Sequence, residues 1–197
     1  MGRPKEPWRR ERILDAAMVA IAETGPSALR VTDVAHAAGV SAGTVHYHFN
    51  DITGVFLGVV ARAFDQMIDQ RKAMIDGEPS VPRKLDLLIE YGILDSPNDE
   101  MALMYESIGL LRSTPEFRAV SSSFMERQLA LYRSVIDAGV ESGDFVAAGD
   151  PAVIAANVLA LEDAYDMYIT LGTHPDGAAA RANMRAYVSG SLGVTLR

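Results

Sequence analysis

Residues 31–49 read VTDVAHAAGVSAGTVHYHF, and the fold of the chain turns on this stretch. Thr32 is placed as the N-cap of a short helix ending at Gly39, and Ser41 as the N-cap of a second helix ending near Phe49. Two short helices joined across Gly39-Val40-Ser41 make a helix-turn-helix. Gly39 supplies the backbone freedom the turn needs. Val34, Ala35, Ala38, Val40 and Val45 are small or apolar where the two helices must nearly touch. Ser41 caps the second helix and leaves its N-terminal amides available to a phosphate.

The second helix resolves into faces. With Val45 and Phe49 inward at i and i+4, Gly43 and Tyr47 lie roughly opposite, and Thr44 and His46 flank them. Gly43 lets the backbone approach a groove, while Thr44, His46 and Tyr47 are expected to donate hydrogen bonds to phosphates or base edges. His48 falls nearer the packed side. His46 and His48 stand two apart, hence on different faces, and no acidic partner sits at ligand spacing, so no metal site is expected.

Outward from this stretch the pattern stays helical. Ile13, Leu14, Ala17, Met18 and Ile21 stripe a first helix from Trp8 to Thr24, stopped by Gly25-Pro26. Asn50-Asp51 opens a long helix through Val55, Val59, Phe64, Met67 and Ile68 toward Gly77. Further helices are predicted over 82–94 and 98–112, split by the turn Asp95-Ser96-Pro97. Thr114-Pro115 and Asp150-Pro151 are start signals, a cap candidate followed by proline at the first helical position. The helices they open run to Ser142 and to Gly172, and a last helix is predicted over 176–196. Nothing reads as a β-hairpin or a βαβ unit. The expectation is all-α, with about nine helices.

The 197 residues carry a net charge of −8, 49% hydrophobic residues and no cysteine. Such a composition is that of an ordinary globular protein and excludes disorder as the main state. The missing cysteine excludes a disulfide scaffold, a zinc–thiolate site and cysteine catalysis. No apolar run reaches the roughly 20 residues of a spanning helix, and the basic N-terminus lacks the apolar run of a signal peptide, so a cytoplasmic protein is expected. Charge is unevenly spread. Residues 1–50 hold six basic side chains (Arg3, Lys5, Arg9, Arg10, Arg12 and Arg30) against five acidic ones, and the rest holds 12 against 21. A small basic surface for nucleic acid, attached to an acidic body with another task, fits that asymmetry.

From about Arg10 to Val60 the chain resembles the DNA-binding domain of TetR-type transcriptional regulators, through ILDAAMVAIAETG, VTDVAHAAGVSAGTVHYHF and the long helix that follows. YRSVIDAGVESGDF followed by DPAVIAANVLALEDAYD is also similar to carboxy-terminal domains of some members. Two positions depart from the family's pattern. His46 stands where tyrosine is frequent, and Ile52 stands where a phosphate-contacting lysine is usual, so that contact is absent or supplied by Arg30 or the N-terminal arm. The resemblance implies a three-helix DNA-binding domain over 1–51, with the fourth helix leading into a helical effector-binding and dimerisation domain over 52–197. The predicted DNA contacts are Arg3, Lys5, Arg9, Arg30, Thr32, Ser41, Ala42, Gly43, Thr44, His46, Tyr47 and His48.

For the body the resemblance implies a pocket for a small organic effector. Its predicted lining is Phe64, Met67, Met104, Tyr105, Ile108, Phe124, Gln128, Tyr132, Asn157, Glu162 and Asp166, apolar and aromatic with few polar anchors. Glu162, Asp163 and Asp166 are expected in solvent or facing arginines at an interface. Small residues (Ala155, Ala156, Ala160 and Ala164, then Ala182, Ala186, Ser189 and Gly193) permit close packing of the last two helices. The family pairs this region into a four-helix dimer interface. A dimer would place two recognition helices about 34–36 Å apart on a palindromic site. The function so implied is a ligand-responsive repressor, an activator or a co-repressor-dependent binder remaining open. The alternative is a helical small-molecule-binding protein without sequence-specific DNA recognition. No Glu-x-x-His pair, nucleophile motif, phosphate loop or HExxH pattern is present, and neither enzyme activity nor a cofactor is expected.

Overall fold

Every regular element is a helix in the computed structural model, which describes residues 7–25, 28–96, 101, 105, 108–109, 114–173 and 176–196. Eight helices are bounded among these: α1 (Pro7–Thr24), α2 (Val31–Ala37), α3 (Ala42–Phe49), α4 (Ile52–Asp76), α5 (Val81–Gly92), α6 (Pro115–Ser142), α7 (Pro151–Thr170) and α8 (Gly177–Leu192). Met101, Tyr105, Ile108 and Gly109 are also helical; the remainder of the helix predicted over 98–112 lies outside the described residues.

The boundaries follow local chemistry. The Ser41 hydroxyl oxygen accepts from the Thr44 amide at 3.1 Å and starts α3. Asp150 and Asp176 cap α7 and α8 through Ala152 N–H at 2.8 Å and Ala179 N–H at 2.9 Å. Several starts and ends differ from the sequence reading. The N-cap of α2 is Arg30, without a side-chain cap bond, because Thr32 already lies inside the helix and turns its hydroxyl to Asp33. α5 starts one residue before Pro82, capped by Ser80, and stops at Gly92 rather than Leu94. α8 stops at Leu192, because Gly193 takes the left-handed conformation at φ 60° and turns the chain out of the helix.

The chain forms two units. Residues 1–65 with 103–120 make the first, and residues 66–102 with 121–197 the second; α4 and α6 each contribute to both. In the first unit α1 packs on α2 and α2 on α3. Ile13, Leu14, Ala17, Ile21, Val34, Ala35, Val45, Phe49, Val55 and Val59 are buried there. In the second, α7 packs on α8 and α8 on α5. Its core runs through Leu85, Leu88, Ile89, Tyr132, Ile136, Ala155, Val158, Met184 and Val188. Burying each large side chain contributes roughly 1.5–3 kcal/mol.

Candidate nucleic-acid interface

The first unit holds α3 rigidly from its inner side. Val45 and Phe49 are buried, and Gly54 and Gly58 let α4 run close beneath Phe49. A methyl group on Gly54 would stand 2.0 Å from the Phe49 carbonyl oxygen, and one on Gly58 would stand 2.9 Å from the Phe49 ring and 3.0 Å from Leu14. Gly39 sits in the turn at φ +62°, a conformation open to glycine at little cost. Arg12 reaches across from α1 and donates to the Ala38 carbonyl at 2.5 Å, satisfying an acceptor at the end of α2.

The outer side of α3 is open. Gly43, His46 and Tyr47 are exposed, Tyr47 to 54%, and Ala42, Thr44 and His48 are half-buried. The Ser41 and Thr44 hydroxyls lie 2.9 Å apart. The rings of Tyr47 and His48 meet edge to face at 5.3 Å. Arg30 and Thr32 are exposed around the start of α2. The Arg9 guanidinium stacks on Trp8 at 5.1 Å, Arg12 on the same ring at 5.4 Å, and Arg10 on Phe49 at 5.3 Å. Arg3 and Lys5 lie outside the described residues. Arg12 therefore serves the turn, which a count of arm arginines could not distinguish from a phosphate contact. The Nδ1 of His46 lies 2.5 Å from the Asn50 carbonyl oxygen and donates to it.

In the second unit, Gln128, Tyr132 and Glu162 of the predicted lining converge on Arg71, which the sequence reading missed. Arg71 donates to Gln128 Oε1 at 2.8 Å and to Glu162 Oε1 at 2.5 Å, and the Tyr132 hydroxyl donates to Glu162 Oε2. All four are buried. Burial works against the Arg71 charge, yet the Glu162 carboxylate more than offsets it and holds Arg71 protonated. Burial, reinforced by the Glu162 charge, pushes the Tyr132 hydroxyl well above its ordinary range. Gly92 makes room for the cluster, since a methyl group there would lie 2.3 Å from Glu162.

Glu162 and Asp166 are thus not in solvent, and Glu162 faces an arginine, as the other reading had it, although that arginine is Arg71 of the same chain. The two acids continue the inward stripe Ala155, Val158, Leu159 on α7, at helical spacing, and are 2% and 7% exposed. Asp166 accepts from the Leu94 amide at 2.9 Å, and burial with the Glu162 charge raises it to about 7. Asp163 rises to about 6, for the same two reasons. Arg71 carried a matching signal, because it stands on the inward stripe of α4 with Phe64, Ile68 and Ile75. Of the other predicted lining residues, Phe64 and Phe124 are buried, and Met67 and Tyr105 are half-buried. Ile108 is exposed, and Asn157 is exposed with its amide donating to the Tyr187 hydroxyl at 3.0 Å. Met104 lies outside the described residues. An open groove of ≈ 300 Å³ between α6 and α7 is lined by Met125, Glu126, Leu129, Ala156, Leu159, Ala160 and Asp163, none of them in the predicted lining.

A capped, glycine-fronted helix presented by a helix-turn-helix is the arrangement that DNA-binding regulators place in a major groove. Residues 13–59 match the family model of bacterial regulatory proteins, tetR family. The chain is 25% identical over 139 residues to the HTH-type transcriptional repressor KstR2 of Rhodococcus jostii, covering 70% of this chain and 68% of the relative. It is 24% identical over 133 residues to the fatty acid metabolism regulator protein of Bacillus subtilis, covering 68% and 69%. In fold it is similar to a transcriptional regulator from Saccharomonospora viridis solved in complex with choline, with TM-score 0.80, 22% identity and coverage of 95% and 98% of the two chains. It is also similar to FadR from Bacillus subtilis in complex with stearoyl-CoA, with TM-score 0.71, 22% identity and coverage of 91% and 98%. The chain is thus similar to regulators of the tetR family, through the helix-turn-helix segment within residues 13–59. Among the described residues no helix is long and apolar enough to cross a membrane.

Proposed function

We propose that the chain is a cytoplasmic, ligand-responsive repressor that binds a palindromic operator as a homodimer and leaves it when a small organic effector occupies its C-terminal domain. The observation that carries this reading is the exposed outer side of α3, where Gly43, Thr44, His46 and Tyr47 front a helix anchored from behind by Val45 and Phe49. Residues 1–51 form the DNA-binding domain, and 52–197 the domain for effector and dimer. Ser41, Ala42, Gly43, Thr44, His46, Tyr47 and His48 meet the groove and its edges; Arg3, Lys5, Arg9, Arg30 and Thr32 meet phosphates. The buried cluster around Arg71 gives the second unit a polar anchor within an apolar interior, which suits an effector with a polar group on an apolar body. The stearoyl-CoA and choline complexes of the two similar proteins support an effector of that general kind. The exposed alanines Ala156, Ala160, Ala182 and Ala186 on α7 and α8 supply a surface on which a second copy can pack closely.

The test is fluorescence anisotropy of the full chain titrated onto DNA flanking its own gene, at two salt concentrations and with unrelated duplex as competitor. Saturable binding that survives competitor, and that Thr44→Ala with Tyr47→Ala abolishes while the oligomeric state is unchanged, is the expected result. Binding unchanged by that pair of substitutions overturns the reading.

A further inference from the structure

His46 and Asn50 are bonded in both directions at the end of α3. The Asn50 amide donates to the His46 carbonyl at 2.9 Å, and the His46 ring nitrogen Nδ1 lies 2.5 Å from the Asn50 carbonyl oxygen. Asn50 leaves helical geometry at φ 63° and ψ −56°, as the C-cap of α3. A carbonyl oxygen only accepts, so Nδ1 is the donor. In the neutral ring the outer nitrogen, Nε2, then carries a lone pair and no hydrogen. The ring belongs to an exposed residue of the recognition helix, next to Tyr47.

A ring that keeps this bond in its neutral form offers an acceptor, which selects a donor on the DNA. Phosphate oxygens, guanine N7 and O6, adenine N7 and thymine O4 are all acceptors; in the major groove only adenine N6 and cytosine N4 donate. The hydroxyls of Ser41, Thr44 and Tyr47 can rotate to donate or to accept and impose no such choice. We propose that His46 is a specificity-determining residue whose Nε2 accepts a hydrogen from the exocyclic amino group of adenine or cytosine, so that one position in each half-site excludes guanine and thymine. This rests on the reading of the chain as an operator-binding regulator.

The experiment begins with selection of bound sequences from random duplexes by the full-length chain. The amino group is then deleted at the selected adenine or cytosine, with purine replacing adenine or 2-pyrimidinone replacing cytosine. Wild type is expected to lose about three- to tenfold in affinity, the effect of one hydrogen bond. His46→Phe, which keeps a ring without an acceptor, should bind both duplexes equally, and His46→Gln, which keeps an acceptor, should still discriminate. The wild-type arm needs no variant to fold. A wild-type chain that selects a sequence but is indifferent to amino deletion throughout the half-site overturns the His46 assignment alone. So does a His46→Phe variant whose base preference is unchanged while its salt slope falls by about one, since that marks a phosphate contact from a protonated ring. A wild-type chain that selects no sequence overturns the regulator reading and this assignment with it.

Discussion

Arg71 and Glu162 form an ion pair at 2.5 Å inside the second unit, with 9% and 2% of their side-chain surfaces exposed. The pair joins α4 to α7, and Gln128 and Tyr132 of α6 supply its remaining partners. A buried pair of this kind contributes little net stability when intact, because desolvation offsets most of the attraction. Breaking it is another matter. Glu162→Gln leaves a buried guanidinium without its directly bonded carboxylate and is expected to cost about 3–5 kcal/mol in urea denaturation. Adding Arg71→Met should recover most of that loss. Equal destabilisation by the single and double variants would show that the cost lies in lost packing instead.

Asp166 gives the second unit a pH dependence of definite sign. Its carboxyl rises from an ordinary 3.8 to about 7, through burial opposed by the Leu94 amide and reinforced by Glu162. Between those values the folded chain holds a proton that the unfolded chain has released, so stability from this group falls as pH rises through that window. The cost is fully present above pH 7. Asp163, raised to about 6 and less buried, acts in the same direction more weakly. Asp166→Asn keeps an acceptor for the Leu94 amide and removes the charge. It should stabilise the chain by about 2 kcal/mol at pH 8 and change little at pH 4. Thermal melts at the two pH values decide the matter, and an equal shift at both sinks the argument.

How far the sequence could be read is visible at Gly54. The helix-turn-helix was legible because capping, turn glycine and inward apolar spacing all act within a few residues of one another, and Ser41, Gly39, Val45 and Phe49 stand as expected. Gly54 carries no such local signal. Its role comes from the Phe49 carbonyl 2.0 Å from where a methyl group would sit, a contact set by how α3 turns into α4. The buried Arg71 cluster was half legible. The helical stripes of α4 and α7 pointed its charges inward, but their pairing depends on tertiary register. Gly54→Ala should therefore push back the end of α3, cost about 1–3 kcal/mol and weaken operator binding. Calorimetry with anisotropy checks it. Unchanged stability would mean that the α3–α4 corner yields freely.

Arg12 separates a structural arginine from a DNA-contacting one. Its guanidinium donates to the Ala38 carbonyl, 26 residues away, and stacks on Trp8. The bond to Ala38 ties it to the turn of the helix-turn-helix. Arg12→Ala strands the Ala38 carbonyl and is expected to cost about 1–2 kcal/mol of stability, with operator affinity falling because the turn loosens. A phosphate contact behaves differently, since its removal lowers the slope of log affinity against log salt by about one. For Arg12→Ala that slope should stay at the wild-type value, whereas Arg30→Ala, exposed at the start of α2, should lower it. Salt titrations of both variants on one duplex give the comparison. A reduced slope for Arg12→Ala with unchanged stability would move Arg12 from the turn to the DNA backbone.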